Sequence, residues 1–168
     1  MKKKHFVSRS LQSGLTLIEL LVVMGIISIL ASVTIVAVNP AHQFALARDS
    51  QRTANVAAIL DAIDQNMTEH GGAMICNDGS SFDFSKITGN AQKIQSDSAS
   101  GDIAKCLVPT YLPVLPFDPS PDPSNNYHYT SYTDYKTGYQ VFKNESNRIM
   151  VSAVSEISPG GNGIVAVR

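Results

Sequence analysis

"SGLTLIELLVVMGIISIL", residues 13–30, decides how the chain is read. Glu19 carries the only charge in it, and an uncharged run continues from there to residue 38. About 20 consecutive apolar residues suffice to cross the hydrocarbon core of a bilayer. A carboxylate at that depth costs roughly 2.5–3.5 kcal/mol even on mild insertion scales, so a simple anchor would do better with leucine. Glu19 therefore asks for a partner, unless it lies close enough to the membrane surface to reach the headgroups.

Charge sets the direction of crossing. Lys2, Lys3, Lys4 and Arg9 precede the apolar block; removing those four of the 13 basic residues leaves nine against 14 acidic ones, a formal −5 from residue 14 onward. Cations ahead of a first apolar segment hold that end in the cytoplasm and place the chain beyond the segment outside. An acidic exterior without a basic stripe gives no strong nucleic-acid signal. Cys76 and Cys106 both fall in the exported part. In an oxidising compartment a bridge between them would close a loop of about 30 residues and stabilise it by about 3–4 kcal/mol. Free thiols would fit a cytoplasmic head instead.

An ordinary secretory signal has a shorter apolar core, with its cleavage site after that core. Here the site of that kind comes before the core, at Gly14 followed by Leu15. Cutting there would remove the basic leader and leave the apolar helix on the product. The basic leader, Gly14 and "LTLIELLVVMGIISILASV" resemble the class III leader and N-terminal helix of type IV pilins and of type II secretion pseudopilins. "NPAHQFALARDSQRTANVAAILDAI" resembles their helix continuation, although Leu15 stands where phenylalanine is usual. The resemblance implies a prepilin peptidase that cuts after Gly14 and methylates Leu15. It also implies an assembly platform with its ATPase machinery, and polymerisation through the N-terminal helix. Glu19, the fifth residue of the product, would then pair with the terminal amine of a neighbouring copy.

From residue 15 to residue 70 only Pro40 interrupts the helical pattern, and one helix of that length would span roughly 84 Å. Pro40 removes a backbone hydrogen bond and predicts a kink or local melting, with Gly25 a second weak point. Beyond it Val56, Ile59, Leu60, Ile63 and Met67 recur at helical spacing, with Arg48, Asp49, Arg52, Asp61 and Asp64 assigned to other faces. Gly71 and Gly72 end the helix. Residues 73–126 are a polar connection pinned by the disulfide, with a weakly signalled helix over 85–95 and a proline-rich loop over 112–126. "YHYTSYT" (127–133) and "YQVFKNE" (139–145), joined by "DYKTG", read as a hairpin; residues 148–154 and 163–168 read as further strands. The tyrosines of the hairpin, Tyr127, Tyr129, Tyr132, Tyr135 and Tyr139, read as half-buried and facing the helix, with an adhesive or subunit-contact surface as the alternative.

The expected fold is α+β: a long N-terminal helix, half membrane-spanning and half amphipathic, packed on a small antiparallel sheet in the type IV pilin manner. Its parts are a leader (1–14), a transmembrane and polymerisation helix (15–38), its amphipathic continuation (39–70) and an extracytoplasmic head (71–168). The chain is expected in the cytoplasmic membrane as an N-in precursor and then in an extracellular filament serving adhesion, motility or uptake. The alternatives are a secretion pseudopilin and a membrane-anchored binding domain that never polymerises. No phosphate loop, H-E-x-x-H, G-x-S-x-G or C-x-x-C is present, so no enzyme and no cofactor is expected. Asp118, Asp122 and Asp134 supply hard oxygen ligands for calcium, or equally are turn formers.

Overall fold

The computed structural model describes residues 14–98, 100–158 and 163–167; the basic leader before Gly14 lies outside them. The chain divides into two compact units, residues 1–40 and 41–168.

In the first unit, helix α1 runs Leu17–Val38. None of its residues is buried, and it is long and apolar enough to cross a membrane. Its hydroxyls are satisfied within the helix: Ser28 donates to the Met24 carbonyl, Ser32 to that of Ser28 and Thr34 to that of Ala31. This is what an apolar medium requires of polar side chains. α1 passes through Gly25 unbroken. Asn39 closes α1 in the left-handed conformation, φ 44°, and α2 runs Pro40–Glu69. The helical path is thus interrupted at Asn39 and Pro40 opens a new helix, because a first helical position tolerates the missing N–H.

In the second unit, α2 buries Val56, Ile59, Leu60 and Ile63, with Met67 half-covered. It ends where the glycines supply positive φ (Gly71 64°, Gly72 96°), letting the Gly72 N–H bond the Met67 carbonyl at 2.7 Å. The sheet comprises β1 (Gln92–Gln95), β2 (His128–Ser131), β3 (Asp134–Lys143), β4 (Ile149–Ala153) and β5 (Ile164–Val167). All pairings are antiparallel, in the order β1-β3-β4-β5, with β2 also pairing with β3. Tyr135, Tyr139, Val141 and Val151 face the core.

Three sequence expectations are corrected. Residues 85–95 hold a 3-10 turn, Phe84–Ile87, and then strand β1 instead of a helix. "DYKTG" is not the hairpin turn but the first half of β3, and the chain turns at Tyr132-Thr133. Gly138 at φ 83° is accommodated within the strand, where a Cβ would come within 2.9 Å of Asp118 and the Tyr127 ring. Finally, the tyrosines do not behave alike: Tyr135 and Tyr139 are fully buried, whereas Tyr132 is exposed.

The long connection is held twice at one place. Cys76 and Cys106 form the disulfide. Beside it, buried Asn66 donates from Nδ2 to the Ile75 carbonyl (2.7 Å) and the Cys106 carbonyl (2.8 Å), and accepts the Ile75 N–H (2.9 Å). α3 (Ala104–Leu107) carries Cys106 into the core.

Candidate functional site

Gly14, Leu15 and Thr16 are exposed and non-helical, and α1 begins immediately after them. Thr16 caps the helix. Its hydroxyl accepts the Glu19 N–H at 3.3 Å, while the Glu19 carboxylate accepts the Thr16 N–H and the Thr16 hydroxyl, both at 2.8 Å on Oε2. This capping box satisfies donors that a helix start leaves bare, and it places the negative charge against the positive end of the helix dipole. Glu19 therefore already has a partner within its own chain, in the T-x-x-E spacing of "TLIE". Gly14 and Leu15 stand exposed just outside the helix.

The match to known families falls on these residues. Residues 9–35 match the family described as the prokaryotic N-terminal methylation motif. The methylation motif is the class III leader of pilin-type precursors, and it spans Gly14, Leu15, Glu19 and most of α1. It implies processing by a prepilin peptidase, and with α1 it fits a membrane-anchored precursor. The α+β arrangement beyond the methylation motif is the pilin-like one expected. Neither a curated protein nor a solved structure matches the chain.

A second cluster lies on the head. Arg52 is buried, 3% exposed, and does not occupy the solvent face expected for it. Its guanidinium grips Asp118 with two bonds of 2.8 Å and reaches Asp49 at 2.7 Å and Glu156 at 2.6 Å. Arg48 grips Glu156 in turn, at 2.6–3.0 Å. Asp49 also accepts the Ser155 hydroxyl and the Glu156 N–H. Asp118 is aimed by its own N–H, which donates to the Thr137 carbonyl at 2.8 Å. The network thus fastens α2 to the proline-rich loop and to the segment after β4.

The signal for it is legible in the sequence, because Arg52 stands four residues before Val56 and Asn66 three after Ile63, in line with the apolar stripe. Nothing in the sequence names their partners. The calcium candidates do not converge: Asp118 serves Arg52, Asp122 caps the 3-10 turn Pro123–Asn125, and Asp134 faces His128 at 3.1 Å. Among the described residues no group of three or more His, Cys, Asp and Glu is placed to hold a metal.

The clamp makes the head acid-sensitive. Burial raises Asp49, but bonds from Ser155, Glu156 N–H and Arg52 outweigh it and hold its carboxyl at about 2, against an ordinary 3.8. Hydrogen bonds from Arg48 lower Glu156 as well. A lowered folded value contributes stability above the unfolded value that is lost as pH falls through the folded one. For Asp49 this amounts to roughly 2 kcal/mol, fully present at neutral pH and lost between about pH 4 and pH 2. Tyrosine fluorescence of the detergent-solubilised protein should show the head loosening in that window, and Asp49→Asn should flatten the dependence.

Proposed function

We propose that the chain is a prepilin, cut between Gly14 and Leu15, methylated at Leu15 and polymerised through its N-terminal helix into an extracellular filament. The observation that carries this reading is the coincidence of the methylation motif with an open Gly14–Leu15 junction and a capped, wholly uncovered apolar helix. Such a helix must stay in lipid or be covered by its like. Assembly exchanges lipid for identical helices. Glu19 keeps Oε2 on Thr16, and we assign Oε1 to the terminal amine of the neighbouring copy. The buried Arg52 network then has a mechanical role. Tension along α2 passes into the head through Asp118 and Glu156, at the turns of the helix that precede the apolar core.

Intact mass and N-terminal sequencing of protein from envelopes and sheared surface material test the reading. The expected chain begins at Leu15, carries one added methyl group and is lighter by two hydrogens for the Cys76–Cys106 bridge. A chain that retains Gly14, or that begins after α1, would overturn it. Surface filaments seen by electron microscopy favour the pilin. A secretion defect without surface filaments transfers the reading to a pseudopilus confined to the periplasm.

A further inference from the structure

The head contains a cleft of about 330 Å³ that neither the helix nor the clamp uses. It lies between the loop that follows Cys76 and the segment leading into α3, and Cys76 itself forms part of its lining. Its volume is within the roughly 300–1,000 Å³ of small-ligand sites. The disulfide and the Asn66 hub tie together the two segments that bear the walls, at residues 75–76 and Cys106.

The wall chemistry restricts what fits. Lys86 and Lys105 offer ammonium donors, Asp83 and Asp102 offer carboxylate acceptors, Ser81 offers a hydroxyl that does both, and Phe82 supplies the apolar part. The ammonium groups are only loosely engaged, Lys86 at 4.0 Å from Asp83 and Lys105 at 3.9 Å from Asp78, beyond hydrogen-bond length. Asp102 is anchored from behind by the hydroxyl of buried Tyr135 at 2.7 Å. Two cations and two anions cancel, so phosphate or sulfate would meet carboxylates and a divalent cation would meet lysines. An apolar ligand would leave the polar lining of the wall unmatched. A net-neutral molecule whose groups each donate and accept matches such a wall.

We propose that this cleft binds a neutral, hydroxyl-rich glycan, with Lys86 and Lys105 donating to sugar oxygens, Asp83 and Asp102 accepting sugar hydroxyls, and Phe82 covering a ring face. The proposal rests on the reading that the head lies outside the cell, where such glycans occur.

The test uses the full mature chain in detergent, screened against an array of neutral hexose and N-acetylhexosamine oligosaccharides and followed by calorimetric titration of the hits. Saturable binding is expected, weakened at least tenfold by Lys86→Ala combined with Lys105→Ala; both side chains are exposed, so the fold should hold, as an unchanged Tm would show. Tenfold corresponds to about 1.4 kcal/mol. Glu19→Leu should leave binding intact, because the cleft lies in the head and binding is read directly, so a failure of the filament reading does not pass for a failure of this one. No neutral glycan bound at millimolar concentration, binding confined to sulfated or sialylated glycans, or binding indifferent to the double variant would each overturn the proposal.

Discussion

Replacement of Arg52 by methionine should lower the stability of the head by about 3–5 kcal/mol, the range for removing one partner of a buried ionic network. Methionine keeps much of the volume but leaves Asp118, 7% exposed, facing no cation, and deprives Asp49 and Glu156 of one each. Thermal unfolding followed by circular dichroism should show Tm lower by roughly 10–20 °C. Adding Asp118→Leu should recover part of the loss, because the worst-placed unpaired charge is then gone. An equal or larger loss in the double variant would mean that the loop from residue 112 to residue 126 depends on Asp118 for more than its charge. One such dependence is visible, since Asp118 Oδ1 also accepts the Ser120 N–H at 2.8 Å.

Glu19→Leu should abolish filaments while the subunit persists in the membrane. Truncating one member of a desolvated charge pair costs about 2–5 kcal/mol per contact, and about 2 kcal/mol already corresponds to roughly a 30-fold weakening at each step of assembly. Leucine also removes the capping box, so it cannot by itself separate the two roles of the carboxylate. Glu19→Gln can, because glutamine still closes a capping box on Thr16 but carries no charge for an amine. Sheared-filament yield should fall for both variants, with processing at Gly14 retained. Normal filaments from Glu19→Gln would mean that the residue acts as a helix cap and not as an assembly contact.

Much of the architecture was legible because its signals are local. The uncharged run gave α1, Pro40 gave the break, the stripe from Val56 to Met67 gave the buried face of α2, and Gly71-Gly72 gave its end. The strands β4 and β5 followed from alternation. The errors came where a local signal was overridden. "DYKTG" has turn composition, yet Tyr135 and Thr137 bury their side chains and Gly138 lets β3 pass close beneath Tyr127, so packing draws the segment into the sheet. Residues 92–95 lack a strand signature and become β1 only by pairing with β3, Gln92 opposite Val141 and Gln95 opposite Lys136.

The sequence by itself marked the N-terminal segment as a methylation motif that runs into an apolar helix. The Gly14 junction and the apolar run are read in order along the chain, where each residue's neighbours are its neighbours in sequence; the Thr16–Glu19 cap is equally local but emerged only with the structure. Only the tertiary structure decided how the head is held. Arg52 meets Asp118 and Glu156 across 66 and 104 positions, and Asn66 meets Cys106 across 40. A buried cation must find carboxylates wherever the fold brings them, and periodicity along a helix carries no information about that choice.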